Sequence, residues 1–346
     1  MQNKLAVIGI IIICINVLVA IFAYTIAPDN TVNANRIIPE IGSKKQGFHI
    51  QFLLVNRNTE QQSSTSNLTT LFSGKIDSYQ WIPIVQSKQT KDSIVFEKYI
   101  DEGVTETKSI HLSKVGKQRI VEQTFVLGTD KFGRDMLSRL IIGSRVSLSV
   151  GIIAVFISLS IGITLGAFAG YFGGWINNCI MWLTNVVWSI PTLLLVFAIT
   201  LILGKGFWQV FIAVGLTMWV NVARLVRGQV LAVKNLEYVQ AAKVLGFSNM
   251  RIIFKHILPN ILGPVMVIAA SNFASAIVVE AGLSFLGVGV QPPQPSWGLM
   301  IKENYNFIIT NRQLLALAPG IAIMQLVLAF NLVGNGLRDA INVKTN

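Results

Sequence analysis

The sequence predicts an all-α integral membrane protein with six transmembrane helices and an inserted, β-rich segment between the first and second spans. Of the 346 residues, 52% are hydrophobic and only 13% are charged, whereas a soluble domain carries about 25% charged residues. Several apolar stretches also approach or exceed the ~20 residues that a helix needs to cross a bilayer. These stretches lie at residues 5–27, 146–170, 178–203, 207–223, 260–282 and 313–335.

The first stretch, 5–27, is predicted to be a retained membrane anchor. It is longer than the roughly 7 to 15 apolar residues of a signal peptide, and it ends at Ala27 and Pro28 without a persuasive cleavage site. Removal as a signal peptide is the less favoured alternative. We therefore divide the chain into an anchor at 1–27, an inserted segment at 28–125 and a membrane domain at 126–346.

The segment 28–125 differs in composition from the rest of the chain. Alternating or β-rich stretches at 48–55, 79–85 and 93–100 predict strands. We expect a small extracytoplasmic β-rich domain, in which the acidic residues and the Ser and Thr residues form a solvated surface rather than a catalytic site.

Basic residues concentrate between the fourth and fifth apolar stretches. That loop carries one acid and many cations: Glu237 against Arg224, Arg227, Lys234, Lys243, Arg251 and Lys255. Short loops rich in Lys and Arg stay in the cytoplasm, so we expect this loop and both termini on the cytoplasmic side. Arg134, Arg139 and Arg145 then fall outside, but they belong to a long loop, for which the rule loses weight.

The formal net charge of +12 does not indicate a nucleic-acid-binding protein. Residues 28–145 hold 16 Lys or Arg against 12 Asp or Glu, so most of the surplus lies elsewhere, largely on segments predicted to be cytoplasmic. Membrane topology explains this surplus. The cysteines lie in apolar runs and the histidines are far apart in sequence: Cys14, Cys179, His49, His111 and His256. We therefore expect no disulfide framework, no metal site and no cofactor.

Residues 235–259 predict two short amphipathic helices joined by a turn. Asn235 is the predicted N-cap of the first helix, and Gly246 ends it as a left-handed residue. Ser248 is the predicted N-cap of the second, and Pro259 is expected to break it before the next span. Each helix carries an apolar stripe at helical spacing. The stripes are Tyr238, Ala241, Ala242 and Leu245, then Met250, Ile253, Phe254 and Ile257.

Spacing alone leaves two interpretations of this helix pair. In one, a cytosolic partner receives the apolar stripes while Lys243, Arg251 and Lys255 contact polar or acidic groups around them. In the other, the helices pack beneath their own membrane domain. A DNA-binding helix-turn-helix is disfavoured, because the spans on either side hold the loop against the bilayer.

The loop resembles the EAA loop of binding-protein-dependent ABC transporter permeases, whose pattern is Glu-Ala-Ala, three residues, Gly, nine residues and Ile-x-Leu-Pro. Gln240-Ala-Ala, Gly246 and His256-Ile-Leu-Pro have that spacing. Gln240 replaces the Glu of the motif, and His256 occupies its Ile position. The resemblance implies an ATPase-coupling role for these residues: Glu237, Gln240, Ala241, Ala242, Gly246, Arg251, His256, Leu258 and Pro259.

Two further stretches resemble the dipeptide, oligopeptide and nickel branch of these permeases, specifically its C-type membrane subunit. Gly-Thr-Asp-Lys-Phe-Gly-Arg-Asp at 128–135 precedes the second span. Glu-Ala-Gly-Leu-Ser-Phe-Leu-Gly-Val-Gly at 280–289, with a Pro-rich run at 291–298, follows the fifth. These signatures lie in order within 126–340, whereas 30–125 lies outside the resemblance.

The resemblance implies a bacterial inner-membrane subunit of a type I ABC importer, which forms half of the translocation pathway. The implied partners are a second, homologous permease, two ATPase subunits or domains and an extracytoplasmic substrate-binding protein. Short peptides are the leading cargo, and nickel or nickel chelates are the alternative. The sequence has no Gly-x-x-x-x-Gly-Lys-Ser/Thr loop, so the subunit is expected to be non-catalytic and a partner to hydrolyse ATP.

Two other protein classes remain as alternatives. A secondary transporter would carry its own pathway, but the chain shows no clear repeated halves and little intramembrane charge. A membrane-anchored sensor would use the inserted segment as its receptor, but it would need neither six spans nor the EAA-like loop. Independence from an ATPase would favour the first of these alternatives, and function without spans two to six would favour the second.

Three features inside the predicted spans concern helix packing. Gly162, Gly166 and Gly170 have the spacing that lets two helix backbones approach closely. Pro191 interrupts the third span and is expected to bend it. Glu280 lies near the outer end of the fifth span, and a carboxylate at mid-membrane costs roughly 2.5–3.5 kcal/mol on insertion scales. We expect Glu280 to contact another span or the partner permease in preference to substrate.

Overall fold

The computed structural model describes residues 4–57, 70, 72–204 and 206–342, and the chain forms two compact units. One unit comprises Met1–Val17, Ser147–Gln291 and Ala322–Asn346, and its described residues are mainly helical. The other comprises Leu18–Val146 and Pro292–Ile321 and contains a β-sheet. Of the predicted inserted segment, residues 58–69 and 71 lie outside the described residues.

The helices account for most of the described chain. In order they are α1 Lys4–Ile21, α2 Ala23–Ile26, α3 Met136–Phe172, α4 Gly174–Trp188, α5 Thr192–Leu203, α6 Phe207–Val233, α7 Glu237–Val244, α8 Asn249–Ile252, α9 Leu262–Leu286, α10 Trp297–Asn304 and α11 Leu314–Asn342. Within the described residues, 5 helical stretches are long and apolar enough to cross a membrane, or 6 if the bent pair α4 and α5 is one span. The single stretches are Lys4–Ile21, Met136–Phe172, Phe207–Val233, Asn249–Leu286 and Leu314–Ile341.

The third predicted span, 178–203, is not one continuous helix. Helix α4 ends at Trp188 and α5 begins at Thr192, and the two helices are bent by 92°. Pro191 precedes α5 with a non-helical ψ of 124°, and its ring removes the N–H that a continuous helix would use. The expected bend is present, but its size makes α4 and α5 separate helices.

Glycines on one face of α3 bring its backbone against α6, which confirms the expected close approach. A Cβ added at any of the three positions would come within 3 Å of a backbone carbonyl oxygen of α6. The pairs are Gly162 with Trp219 at 2.8 Å, Gly166 with Ala223 at 2.5 Å and Gly170 with Arg227 at 2.9 Å. Because the three carbonyls are four residues apart, the contact follows one face of each helix.

The second unit contains a five-stranded antiparallel sheet in the order β4-β3-β2-β1-β5. The strands are β1 Phe48–Asn56, β2 Tyr79–Gln89, β3 Ser93–Asp101, β4 Val104–His111 and β5 Val115–Phe125. Each of the stretches 48–55, 79–85 and 93–100 lies within one of the first three strands. Apolar side chains occupy both faces of the sheet.

The sheet is rolled rather than flat. Strands β4 and β5 lie at opposite edges, yet only Leu112–Lys114 connects them. Four Cα–Cα steps reach at most about 14 Å, whereas the outer strands of a flat five-stranded sheet would lie about 19 Å apart. The edges therefore approach each other at this end. Leu112 packs on the enclosed face, whose buried residues are Leu53, Val55, Ile84, Ile94, Phe96 and Val115.

Candidate functional site

The loop between α6 and α9 folds into the predicted helix, turn and helix. Gly246 has φ of +77°, which confirms the left-handed residue at the end of α7. The Phe247 N–H donates to the Ala242 carbonyl at 3.1 Å and the Gly246 N–H to the Lys243 carbonyl at 3.0 Å, the pairing of a Schellman motif. Ser248 Oγ accepts from the Arg251 N–H at 3.4 Å, which confirms the second N-cap.

The predicted cap of the first helix is wrong. Leu236, not Asn235, occupies the N-cap position of α7, and its side chain accepts no hydrogen bond there. The Leu236 N–H donates to the Val233 carbonyl at 3.0 Å, so Asn235 belongs to the turn that closes α6. The Gln240 side-chain amide reaches back to the Lys234 carbonyl at 3.0 Å and ties α7 to this turn.

The predicted break at Pro259 is also wrong. Helical backbone continues from α8 through a π-helical turn at Ile253–Ile257 and a 3-10 turn at Leu258–Ile261 into α9. Pro259 lies in the first turn of the 3-10 segment, where a missing N–H costs little. The Asn260 side-chain amide donates to the His256 carbonyl at 2.6 Å and satisfies an acceptor beside the proline.

One side of the helix pair packs into its own membrane unit. The buried residues are Val239, Ala242, Ile252, Ile253 and Ile257, and each is at most 3% exposed. They form one apolar cluster with Val222, Val226 and Val230 of α6 and with Val265 of α9. The interpretation in which the pair packs beneath its own bundle therefore describes this side.

The other side is apolar and exposed. Val244 is 88% exposed, Leu245 71% and Phe254 57%. We define the α7–α8 surface as these exposed side chains and their neighbours: Tyr238, Ala241, Val244, Leu245, Met250 and Phe254. Tyr238 is 39% exposed, and the partial burial of its side chain raises the pKa of the hydroxyl. Large side chains such as Phe254 remain uncovered here, so the surface has the composition expected of a protein contact.

The structure therefore divides each predicted stripe between two faces. Ala242, Ile253 and Ile257 face the membrane unit rather than a partner. Val244, the most exposed apolar side chain of α7, was missed by the sequence analysis because it lies off the chosen spacing. A helix of eight residues with apolar groups on several faces fits more than one stripe, so spacing did not identify the outward one.

Polar groups surround the α7–α8 surface. Glu237, Gln240, Lys243, Arg251 and Lys255 are all exposed. Of the other predicted coupling residues, His256 and Leu258 are half-buried and Pro259 is exposed. The five exposed polar residues named first form a mainly cationic border around the apolar side chains of the α7–α8 surface.

An aromatic stack stiffens the turn between α7 and α8. The Arg251 guanidinium carbon lies 4.0 Å from the Phe247 ring centroid, and the His256 ring stacks on Phe247 at 5.7 Å. The Tyr171 hydroxyl of α3 donates to Asn249 Oδ1 at 2.9 Å. Lys243 Nζ lies 5.5 Å from the centroid of the Tyr171 ring. The turn is therefore connected to a long helix of its own unit.

Glu280 is completely buried near the end of α9. Its Oε1 accepts from Ser284 Oγ at 2.7 Å, and Ser284 Oγ accepts from the Val290 N–H at 3.1 Å. Gly287 ends α9 as a left-handed residue with φ of +87°. The carboxylate therefore lies in a polar cluster that joins the last turns of α9 to the segment that follows.

The signature at 128–135 forms a different kind of site, in the second unit. Asp130 Oδ1 accepts from the Phe132 and Arg134 N–H groups, at 2.9 and 3.0 Å. Its Oδ2 accepts from Arg134 Nε at 2.6 Å. Arg134 and Arg139 both reach Glu303 Oε2, at 2.8 and 3.3 Å. All four charged side chains are at most 9% exposed, so this signature holds its own unit together.

No group of three or more His, Cys, Asp or Glu residues in the described part of the chain has the arrangement of a metal site. The candidate site is the α7–α8 surface, whose exposed apolar side chains lie opposite a buried apolar face.

Comparison with known proteins covers both ends of the chain. Residues 162–346 match the family described as the binding-protein-dependent transport system inner membrane component. Residues 1–39 match the N-terminal TM domain of oligopeptide transport permease C.

Several bacterial permeases are similar over most of their own length. The dipeptide transport system permease protein DppC of Alkalihalophilus pseudofirmus is 44% identical over 217 residues, which cover 63% of this chain and 71% of that protein. The glutathione transport system permease protein GsiD of Pectobacterium atrosepticum is 41% identical, covering 63% and 72%. The oligopeptide transport system permease protein OppC of Bacillus subtilis is 39% identical, covering 63% and 71%.

Comparison with solved structures matches a chain in a structure of the MetNI methionine ABC transporter in inward-facing conformations. The TM-score is 0.49 at 18% sequence identity, over 60% of this chain and 97% of that chain.

Proposed function

The chain belongs to the inner membrane components of binding-protein-dependent transport systems, in their dipeptide and oligopeptide branch, and we propose that its α7–α8 surface couples it to a cytosolic ATPase. The protein is thus a multi-pass membrane permease subunit of an ABC importer. In this proposal it forms half of the translocation pathway beside a second, homologous permease, and the partner ATPase hydrolyses ATP.

The observation that carries the proposal is that the helix pair is buried on one side and exposed on the other. Their inner face is part of an apolar cluster with α6 and α9, so a displacement of the pair moves two long helices. Their outer face leaves Val244 and Phe254 exposed beside Lys243 and Lys255. A partner that covers this face would bury apolar area and meet cations at the rim, the usual composition of a protein contact.

A charge placed on the outer face tests the coupling. We expect Val244→Glu to lower ATP-driven uptake about tenfold or more, because docking would bury the new carboxylate without a partner. Uptake would be measured in proteoliposomes that contain the purified complex. Val244 is 88% exposed, so the thermal stability of the isolated subunit should not change. Ala242→Glu would be a poorer test, because Ala242 is only 3% exposed and the variant would also disturb the core.

Val104→Glu is the matched control for this experiment. Val104 is 55% exposed in the β-sheet unit, so it receives the same change on a surface that the proposal does not use. Normal uptake and normal ATPase recovery with both Val244→Glu and Phe254→Glu would refute docking at the α7–α8 surface. Recovery of an ATPase and a second permease with the tagged wild-type protein is the result expected of the importer.

We further propose that the permease domain spans 126–346, with its coupling loop 235–259 and both termini in the cytoplasm, and that 28–125 is extracytoplasmic. The cations of the loop support the first placement. The placement of 28–125 depends on whether the bent pair α4 and α5 crosses the membrane. If the pair crosses the membrane, α3, the pair and α6 make three crossings, and the loop and the sheet lie on opposite sides. If the pair re-enters, they lie on the same side.

Cysteine labelling distinguishes these two topologies. Ser87→Cys in β2 and Lys255→Cys in the coupling loop would each be introduced after replacement of Cys14 and Cys179 by Ala. In intact cells we expect a membrane-impermeant maleimide to label position 87 and to reach position 255 only after permeabilisation. Equal protection of both positions would instead indicate that α4 and α5 form a re-entrant loop.

Short peptides are the proposed cargo. Support comes from the relatives, whose names give dipeptide, oligopeptide and glutathione transport. An extracytoplasmic substrate-binding protein is the remaining proposed partner and would deliver the cargo. Competition among a labelled dipeptide, glutathione and Ni²⁺ for uptake by the complex tests this assignment. Uptake that Ni²⁺ suppresses and peptides do not would contradict it.

A further inference from the structure

Two arginines lie within α6, near the end of the helix that leads into α7. Helix α6 begins at Phe207, and about 20 residues of helix rise about 30 Å, the thickness of the hydrocarbon core. A span that starts at Phe207 therefore leaves the hydrocarbon near Arg227. Arg224 lies one turn deeper, and its long side chain can extend toward the lipid headgroups. Both arginine side chains are half-buried.

Both arginines contact α4 through neutral groups. Arg227 Nε donates to Asn177 Oδ1 at 2.5 Å, and Arg224 Nη2 donates to Asn185 Oδ1 at 2.7 Å. The Arg224 guanidinium carbon also lies 4.0 Å from the centroid of the Trp188 ring. A guanidinium has five N–H donors, and each of these hydrogen bonds uses one of them. An amide oxygen accepts a hydrogen bond but does not neutralise the positive charge.

Neither arginine forms an ion pair within the described part of the chain. Among the same residues, Arg224 Nε is enclosed and has no hydrogen-bond partner. Lys234, at the same end of α6, donates to the Gly170 carbonyl at 3.0 Å, and this acceptor is also neutral. Cations within membrane-spanning helices are rare and mark functional contacts. Three positive charges at this end of α6 are therefore left to attract an anion.

The surface beside the arginines is open. Gly228 lies one turn after Arg224 on the same face of α6, and a Cβ added there would meet no atom within 4 Å. On α4, Trp188 is 63% exposed, and Trp182, one turn before Asn185, is 66% exposed. Tryptophan is enriched where a membrane protein meets the headgroup layer. We define the α4–α6 surface as Arg224, Arg227, Gly228, Trp182 and Trp188.

The chemistry of the α4–α6 surface favours a lipid as its occupant. The guanidinium groups lie near the level of the headgroups, and the exposed indole rings offer an apolar surface to acyl chains. Basic pockets between membrane helices bind anionic lipid headgroups. A second protein chain would need to bring carboxylates to the same depth, where an unpaired carboxylate is costly. In phosphatidylcholine the choline group offsets the phosphate charge, so a lipid with net negative charge fits best.

We propose that the α4–α6 surface binds an anionic phospholipid. The phosphate lies at the guanidinium groups of Arg224 and Arg227, the headgroup lies over Gly228, and an acyl chain runs along Trp188. The proposal goes beyond the coupling function and does not depend on docking of an ATPase at the α7–α8 surface.

Lipid binding to the full-length protein in an uncharged detergent tests the proposal. Dioctanoyl-phosphatidylglycerol, dioctanoyl-phosphatidylcholine and inorganic phosphate would be titrated separately, and binding would be followed by microscale thermophoresis. We expect the phosphatidylglycerol to bind about tenfold or more tightly than the phosphatidylcholine, because only the first carries net charge. Inorganic phosphate distinguishes the two sources of a phosphate group. We expect it to bind more weakly than phosphatidylglycerol, because it has no acyl chain.

The double variant Arg224→Gln with Arg227→Gln should lower the affinity for phosphatidylglycerol about tenfold or more. Glutamine can still donate to the asparagines of α4, so the contact between the helices is kept. Lys88→Gln with Lys91→Gln is the matched control, because it removes the same charge from exposed positions in the sheet unit. Arg224→Lys with Arg227→Lys keeps both charges and should retain the preference for phosphatidylglycerol over phosphatidylcholine.

Gly228→Leu is a second test that leaves every charge in place. The new side chain would occupy the open space over which the headgroup is proposed to lie, so the affinity for phosphatidylglycerol should fall. The melting temperature should not fall, because a Cβ at this position meets no atom within 4 Å and leucine favours a helix more than glycine does.

Four results would overturn the proposal. The first two are equal binding of the two lipids and equal phosphatidylglycerol affinity in the arginine and lysine double variants. The third is inorganic phosphate that binds as tightly as phosphatidylglycerol, which would indicate a site for a soluble anion. The fourth is loss of phosphatidylglycerol binding in the purified complex with a second permease, which would assign the α4–α6 surface to that permease. Retained binding in the complex, lost in the arginine variant, is the expected result.

Discussion

Two glycine turns have the same backbone conformation and opposite surroundings. Gly246, beside the α7–α8 surface, has φ of +77°, and Gly133, in the 128–135 signature, has φ of +76°. A Cβ at Gly246 would meet no atom within 4 Å, whereas a Cβ at Gly133 would overlap the Ile38 carbonyl. The first turn is open on its outer side, and the second is packed against backbone.

The charges near the two turns differ in the same way. Lys243 and Arg251 are exposed, whereas Asp130, Arg134 and Arg139 are at most 3% exposed. An exposed cation keeps its hydration and remains available to another molecule. A buried one needs a permanent partner in its own chain. Two signatures that look equally polar in sequence thus differ in the structure: one leaves its cations exposed, and the other buries them in ion pairs within its own unit.

Of the changes considered for the two signatures, removal of Asp130 should lower the stability of the protein most. Asp130→Ala leaves Arg134 and Arg139 without a main counter-charge, and breaking such a buried pair costs about 3–5 kcal/mol. We expect a large fall in the melting temperature and in the yield of folded protein in detergent. Asp92→Ala removes an exposed carboxylate from the same sheet unit and is the control, for which we expect little change. Similar melting temperatures for both variants would contradict the structural role of Asp130.

The two turns can be compared directly with one substitution at each. Gly246→Ala must adopt a left-handed conformation in open space, which costs about 1–2 kcal/mol. Gly133→Ala carries the same conformational cost and also displaces the Ile38 backbone, so we expect a clearly larger loss of stability. Urea or thermal unfolding in detergent measures both. A larger loss for Gly246→Ala would reverse the contrast drawn here.

Asp135 offers a smaller effect that depends on pH. Burial raises the pKa of its carboxyl group, and nearby Asp29 raises it further, against hydrogen bonds from Ser138. The folded pKa therefore exceeds the unfolded value of about 3.9. The resulting stability is fully present below that value and is lost as the pH rises through the folded pKa, by at most about 1.4 kcal/mol per pH unit.

Melting temperatures between about pH 4 and 7 would test this effect. Asp135→Asn should remove the part of the slope that belongs to this carboxyl group. Asp92→Asn changes the same charge at an exposed position and should leave the slope as in the wild type. An unchanged slope in Asp135→Asn would show that Asp135 does not titrate in this window.

The smallest effect is expected on the α7–α8 side. Arg251 is exposed and stacks on Phe247, and a cation–π contact at an exposed site contributes about 0.5–1 kcal/mol. We expect Arg251→Gln to lower the stability of the isolated subunit by no more than that. Arg251→Lys keeps the charge and loses the planar stacking, so it separates the two contributions. A loss as large as that of Asp130→Ala would place Arg251 among the internal supports instead.

Much of the candidate site could be predicted from local sequence. The left-handed Gly246 and the cap at Ser248 depend on backbone geometry and short-range hydrogen bonds, and the structure confirms both. The predictions of an N-cap at Asn235 and of a helix break at Pro259 were wrong, because the helices on both sides continue into the loop. Local propensity did not indicate that α6 would close only three residues before α7, or that a π-helical turn would accommodate the proline.

The sequence by itself determined the membrane class, the family and the existence of two short helices in the loop. Composition, the length of the apolar runs and motif spacing are properties of the chain that need no packing. Only the tertiary structure decided which side of the loop is outward. It placed Ile253 in a buried cluster and left Val244 exposed. It also decided that the cations of the two signatures have opposite environments. Burial depends on what the rest of the chain brings against a residue, and no local pattern contains that information.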